Sequence, residues 1–444
     1  MSKIVVIGAN HAGVAAVNFL TNLAKQDEII VYDRNDNLSF LACGMALWVG
    51  KQIDSPEGLF YSSKEKLEEK GAKVYMQARI TRIDFHNKKI YGKFSDETNI
   101  EQSYDKLILA TGSVPIYPDI PGINLENVQW AKLYQDSVDL IKKLGDPKIK
   151  RVCVVGGGYI GVELAEAVAR HGQQVTLIDK MPNILSSYYD EDFSNIMRKN
   201  LELHSIDMAL GQSLIEIKGR NKVEEVVTDR GRYQADMVII CIGFKPNTDL
   251  GKHILKTTSN GAYIVDKRQR TSRKDVYAIG DCASIFYNAL GKEAYIPLAT
   301  NAVRTGIIAA HNVAGVRLDG IGFQGSSGID VYDLKMVSTG LTYARAKQFG
   351  MKVDYCEFED LQLPTFMKTF NAPVKVRIVY KVKDRVIVGA QMISKYDISM
   401  GIHMFSLAIQ QKVTIDEIKL LDLFFLPHFN QPYNYITMAA MNAR

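Results

Sequence analysis

Five cysteines in 444 residues leave little room for two common chemistries. Cys43, Cys153, Cys241, Cys282 and Cys356 are odd in number, widely scattered and without a CxxC spacing. That pattern excludes a disulfide framework and offers no zinc or other metal site. No apolar run reaches bilayer-spanning length, so no membrane segment is expected. Neither charge dominates: 54 basic and 49 acidic residues are interspersed and leave a net +5, which gives no nucleic-acid footprint. The N-terminal MSKIVVIG enters a strand at once, without the charged and apolar regions of a signal peptide, and a cytoplasmic protein is expected.

What is present is ordinary globular composition, 47% hydrophobic and 23% charged, in a chain long enough for two or three domains. Residues Lys3 to Ile7 form a β-branched run. A glycine turn, a helical segment Ala12 to Lys25 and a strand Glu28 to Asp33 follow. The same unit returns at Arg151 to Val155, a turn Gly156 to Gly161, a helix to about His171 and a strand Gln174 to Asp179. After about Gly320 the pattern changes. Val374 to Tyr380 and Arg385 to Gln391 alternate around Lys383-Asp384, predicting a hairpin. A helix is predicted over Gly401 to Gln411, and Thr414 to Glu417 is a capping box.

Each repeat carries a dinucleotide loop. The first is Gly8-Ala9-Asn10-His11-Ala12-Gly13. Gly8 permits the tight turn, Gly13 lets helix and strand approach, and the helix N-terminus faces a pyrophosphate. Asn10 replaces the middle glycine, and asparagine accepts unusual backbone angles better than most residues. Asp33, twenty residues past Gly13, offers a carboxylate to ribose hydroxyls. The second loop, Gly156-Gly157-Gly158-Tyr159-Ile160-Gly161, is a full match, and Asp179 closes its second strand. A carboxylate there repels a 2′-phosphate and favours NADH over NADPH. Ala110-Thr111-Gly112-Ser113 brings small residues close to a ligand, and Asp281 after Gly280 suits the ribityl hydroxyls of a flavin. Two loops therefore predict one resident dinucleotide, FAD, and one transient dinucleotide, NADH.

Between the loops, Cys43 stands alone in Ser39-Phe40-Leu41-Ala42-Cys43-Gly44. The following residues, Met45 to Val49, read as a helix start, where the dipole lowers a thiol pKa and favours thiolate. His11 lies in the first loop, where a helix N-terminus disfavours imidazolium.

With these residues placed, the chain resembles the single-cysteine branch of the FAD-dependent pyridine nucleotide-disulfide reductases. The two-cysteine members carry CxxxxC, whereas position 48 here is Trp. Within the branch it is most similar to the water-forming NADH oxidases. The similarity rests on the first loop, Ile296 to Ala302, Gln324 to Gly328, and the long run Phe424-Phe425-Leu426-Pro427-His428-Phe429-Asn430-Gln431-Pro432-Tyr433-Asn434-Tyr435. The resemblance implies an α/β fold with two Rossmann-like domains, for FAD and NAD, plus a C-terminal α+β dimerisation domain. It implies an FAD domain at 1–113 and 246–320, an NAD domain at 114–245 and an interface domain at 321–444. It further implies a homodimer whose partner subunit completes each active site.

Implied FAD contacts are Asn10, Asp33, Ile80, Ala110, Ser113, Lys132, Tyr159, Asp281, Leu298, Ala299, Thr300 and Phe425. Implied NAD contacts are Ile160, Asp179, Tyr188, Gly243 and Gly328. Tyr159 is implied as a ring that moves aside for NADH. The implied chemistry is four-electron reduction of O2 to water by two NADH, with Cys43 alternating between thiolate and sulfenic acid. His11 is implied to assist proton movements. NADH peroxidase and coenzyme A disulfide reductase use the same parts, and a slow flavin redox sensor is the alternative outside catalysis.

Overall fold

The computed structural model describes all 444 residues. Three five-stranded sheets organise the chain. The first runs in the order Val276–Ala278, Lys106–Leu109, Lys3–Ile7, Glu28–Tyr32, Lys73–Tyr75, and every pairing is parallel. Parallel strands are covered on both faces, which explains why Ile4, Val5 and Val6 have no exposed surface. Helix His11–Leu23 follows the first strand and packs along helix Ala299–Val313. The approach is close because Gly306 carries no side chain: a Cβ there would lie 2.4 Å from the Ala12 carbonyl oxygen.

The second sheet repeats the plan in the order Ile206–Leu210, Gln174–Asp179, Arg151–Val155, Met237–Ile240, Val128–Trp130, again all parallel. Helix Tyr159–His171 follows its central strand and ends at Gly172, whose φ of +111° closes the helix in the left-handed region. The third sheet is antiparallel, in the order Ser327–Val331, Leu334–Gly340, Ile387–Ser394, Pro373–Lys381, Val353–Leu361. Helices Ser399–Gln411 and Tyr435–Met441 lie on it, and the Thr414–Glu417 capping box is formed.

The predicted hairpin is present, as strands Pro373–Lys381 and Ile387–Ser394, each reaching beyond its expected end. Its second strand starts at Ile387 and not Arg385, because Arg385 turns at φ +57° and cannot continue a strand. No helix is long and apolar enough to cross a membrane.

Candidate active site and dinucleotide cavities

The first loop is built by contact. Gly8 has φ +104°, and a Cβ on it would sit 2.2 Å from the Ala110 carbonyl oxygen. A Cβ on Gly13 would sit 1.9 Å from the Gly8 carbonyl oxygen. These two glycines are required by space. Asn10 is not required for its backbone: at φ −98° and ψ −155° it is extended, a conformation open to any residue. The expected use of asparagine's tolerance for unusual angles is therefore corrected. The loop leaves its backbone facing a cavity of about 400 Å³.

That cavity gathers most of the residues expected to hold the first dinucleotide. Gly8, Asn10, His11, Asp33, Ile80, Ala110, Thr111, Gly112, Ser113, Lys132 and Asp281 all line it. Asp33 stands at one end, where its Oδ2 accepts the Ala9 N–H at 2.6 Å and its Oδ1 the Asn35 N–H at 2.8 Å. At the other end Lys132 Nζ donates to Ser113 Oγ at 2.9 Å, and Ser113 Oγ donates to Asp281 Oδ2 at 2.8 Å. Burial pushes the Lys132 ammonium down, and the Asp281 charge opposes this.

Gly112, at φ +67°, has nothing within 4 Å of where a Cβ would stand. An open glycine, a helix N-terminus and a Lys–Ser–Asp relay suit a phosphorylated, hydroxyl-bearing dinucleotide, so the residues present fit FAD.

Several expected contacts do not line this cavity. Leu298, Ala299 and Thr300 lie at the start of helix Ala299–Val313, and only Ala302 further along reaches the cavity. Tyr159 belongs to the second loop. Phe425 lies in an irregular segment of the C-terminal domain and is 47% exposed.

The second loop repeats the geometry. A Cβ on Gly156, φ +114°, would lie 2.3 Å from the Cys241 carbonyl oxygen, and one on Gly161 would lie 1.7 Å from that of Gly156. Gly158 is open. Asp179 Oδ2 accepts the Gly157 N–H, and Oδ1 accepts that of Met181 at 2.6 Å. Ile160 begins the helix beside Tyr159, and Gly243 turns at φ +105° after the strand that ends at Ile240. Tyr159 is held firmly. Its hydroxyl is 2.9 Å from that of Tyr189 and 3.0 Å from Ser327 Oγ, and its ring centroid is 4.2 Å from that of Tyr188.

Cys43 is a free thiol in the turn Ala42–Gly44, followed by helix Met45–Val49. Trp48, where a partner cysteine would stand, stacks on Tyr134 with rings parallel within 7°. Cys43 and Gly328 line a second cleft of about 360 Å³ together with Glu163, Glu166, Asp330, Lys335 and Asp397. The residue is solvent-accessible, yet its thiol is recessed. Burial pushes it up, the Glu163 charge adds to this, and the N–H groups of Cys43 and Gly44 oppose it less strongly. The expected lowering by a helix dipole is thus corrected: five residues of helix do not outweigh lost solvation.

His11 is held down, first by burial and then by Lys132, with Asp281 opposing. The neutral ring is favoured, for reasons of solvation more than helix polarity.

Two residues at this site were not among the expected site residues. Tyr61 places its hydroxyl 3.0 Å from His11 Nδ1. Glu163, a helix residue next to the glycine loop, is half-buried, and its carboxyl is pushed up to about 7, by lost solvation and then by the Glu166 charge. A carboxylate one turn into a nucleotide-loop helix is the only hint the sequence held of it.

This fold and site define a flavin- and pyridine-nucleotide-binding oxidoreductase architecture. The chain belongs to the pyridine nucleotide-disulphide oxidoreductase family: the family's main model matches residues 2–306 and its dimerisation-domain model residues 327–434. It is 54% identical to an NADH oxidase of Streptococcus pyogenes over the full length of both chains. It is 49% identical to an NADH oxidase of Lactococcus lactis, also at full coverage. A solved water-forming NADH oxidase from Lactobacillus brevis bound to NADH superposes with a TM-score of 0.97. That match has 39% identity and covers 99% of this chain and 98% of the other.

Proposed function

We propose that this protein is an FAD-dependent NADH oxidase that reduces O2 to water: two NADH, two protons and one O2 give two NAD⁺ and two H2O. The observation that carries the reading is Cys43, an unpaired thiol one residue after Ala42 of the dinucleotide cavity wall and itself lining the second cleft, with Trp48 where a second cysteine would stand. Relatives at 54% and 49% identity bear the name NADH oxidase, and the Lactobacillus brevis structure is described as water-forming.

Residues 1–113 and 246–320 serve as the FAD domain, 114–245 as the NAD domain and 321–444 as the dimerisation domain. Asp33 at one end and the Lys132–Ser113–Asp281 relay at the other hold FAD. When bound, FAD supplies hydride acceptance from NADH and electron delivery to oxygen. Asp179 and the second loop orient NADH, with Ile160, Tyr188, Gly243 and Gly328 around it.

Cys43 handles the peroxide stage. Its sulfur attacks one oxygen of hydrogen peroxide, the O–O bond breaks, and the sulfur becomes sulfenic acid while the other oxygen leaves as water. Two electrons from the second NADH return it to thiol and release the second water. The thiol must lose its proton and the departing oxygen must gain one, and we assign the donation to that oxygen to neutral His11. The exposed apolar segment with Phe424, Phe425, Leu426, Phe429 and Tyr433 is the surface a second copy covers, bringing Phe425 to the partner's site.

The same parts serve a coenzyme A disulfide reductase, but the Cys43 cleft argues against that substrate. Glu166, Asp330 and Asp397 outnumber Lys335 there, an unfavourable surface for a polyanion and an indifferent one for O2 or hydrogen peroxide. An oxygen electrode tests the proposal. NADH consumed per O2 should be near two, with no oxygen returned when catalase is added. A ratio near one with accumulating peroxide refutes the water-forming reading. Anaerobic NADH loss driven only by added peroxide or by coenzyme A disulfide identifies the alternatives.

A further inference from the structure

Tyr61 belongs to no nucleotide motif. It follows the bridge that pairs Phe40 with Phe60, and this brings its phenol 3.0 Å from His11 Nδ1. The two rings are parallel within 4°, with centroids 5.7 Å apart. The phenol is pushed up to about 12, by burial and then by the charge at Cys43, so it stays protonated beside both residues of the proposed peroxide chemistry.

We propose that Tyr61 is a positioning residue for His11: its O–H donates to Nδ1 and holds the imidazole in the tautomer that carries hydrogen on Nε2. The direction follows from acidity and basicity. A phenol is the stronger acid of the pair and an imidazole nitrogen the stronger base, so O–H···N is the favoured arrangement. Tyr61 makes no other side-chain hydrogen bond, so the reverse arrangement would leave its hydrogen without a protein acceptor.

With Nδ1 engaged, Nε2–H is the one donor His11 can offer to the cavity it lines. The charged groups facing the ring are Asp281, which favours imidazolium, and Lys132, which disfavours it. A hydrogen bond into the lone pair of the neutral ring adds to the effect of burial and Lys132. Without it, the ring should titrate at higher pH. The inference rests on the reading of His11 as the residue that manages protons at Cys43, and the test separates the two.

Tyr61→Phe keeps the ring stack and removes the hydroxyl, at a residue 41% exposed where folding is not at stake. In flavin-loaded enzyme labelled with ¹⁵N-histidine, the His11 signals are those missing from His11→Gln. The unmutated enzyme should show an unprotonated Nδ1 acceptor and a protonated Nε2. Tyr61→Phe should show both tautomers and a ring titrating at higher pH. An unmutated ring with hydrogen on Nδ1, or a Tyr61→Phe ring unchanged in tautomer and titration, overturns the proposal.

Peroxide released per NADH in air gives the second readout. It should rise about two- to tenfold in Tyr61→Phe, the loss expected for one hydrogen bond. It should rise no further when Tyr61→Phe is added to His11→Gln, whereas additive effects count against action through His11. If His11→Gln releases no more peroxide than the unmutated enzyme while the tautomer still shifts, the positioning stands and the proton role of His11 is what fails.

Discussion

Arg377 Nη1 stands 3.3 Å from Asp190 Oδ2, and both side chains are more than nine-tenths buried. Asp190 precedes helix Glu191–Leu203 of the second dinucleotide unit, and Arg377 lies on the C-terminal sheet. Arg377 also donates to Asp192 Oδ1 at 2.8 Å, and Gln391 Nε2 donates to Asp190 at 2.7 Å. This network joins the nucleotide unit to the sheet that carries Gly328. Removing one partner of a buried pair leaves the other charge without compensation. Arg377→Met is therefore expected to destabilise the protein by about 3 kcal/mol in denaturant unfolding. A loss under about 1 kcal/mol would show that Gln391 and the N–H groups of Tyr343 and Ala344, which also reach Asp190, are sufficient without Arg377.

Cys43→Ser should keep NADH oxidation and lose the second half of the reaction. Serine at this position has no sulfur to accept an oxygen from peroxide, while the dinucleotide cavity is untouched. The ratio of NADH to O2 consumed is expected to fall from near two toward one, with peroxide appearing in equal measure. Amplex-type peroxide detection beside an oxygen electrode measures both quantities. Continued production of water alone would remove Cys43 from the proposed route.

Glu163 links stability to pH. Lost solvation and the Glu166 charge push its carboxyl up to about 7 in the folded chain, against 4.5 for an ordinary glutamate. Between those values the folded state binds a proton that the unfolded state has released, so stability falls as pH rises through the window and levels off above it. The difference corresponds to about 3 kcal/mol. Glu163→Gln should be more stable than the unmutated protein by that order at pH 8, with the gap closing toward pH 4. Thermal unfolding across this range measures it. The same substitution removes a negative charge beside Cys43, so the thiol should titrate at lower pH, followed by thiolate absorbance. A thiol that does not move would mean that burial alone sets its proton affinity.

Local features of the fold were legible in the sequence. Both strand–loop–helix–strand repeats show in β-branched runs and glycine spacing, because these act over a few residues. The strand Arg151–Val155, the helix ending at His171 and the strand Gln174–Asp179 have the bounds expected of them. Turn geometry was less legible, as Arg385 at positive φ shows. Solvation was not legible. The sign of the Cys43 shift depends on walls contributed by Glu163 and the C-terminal sheet, far away in the chain. Tyr61 meets His11 only through the Phe40–Phe60 bridge, a contact between two irregular segments that no periodicity marks. Asn10 illustrates the opposite error: a residue credited with an unusual backbone adopts an ordinary one.

Asp179 should decide between NADH and NADPH. It sits at the end of strand Gln174–Asp179, and its carboxylate is already fixed by the N–H groups of Gly157 and Met181. A rigid negative charge cannot move away from a 2′-phosphate, and like charges so placed cost several kcal/mol. Asp179→Asn removes the charge while retaining an acceptor oxygen for the loop. The ratio of kcat/KM for NADPH to that for NADH is expected to rise about tenfold or more, mainly through KM, with flavin content unchanged. Asp179→Ala should raise the ratio as well but weaken NADH further, since both loop N–H groups lose their acceptor. Steady-state kinetics with the two nucleotides separate these effects. An unchanged ratio in Asp179→Asn would mean that the shape of the loop, and not the charge of this carboxylate, excludes the phosphate.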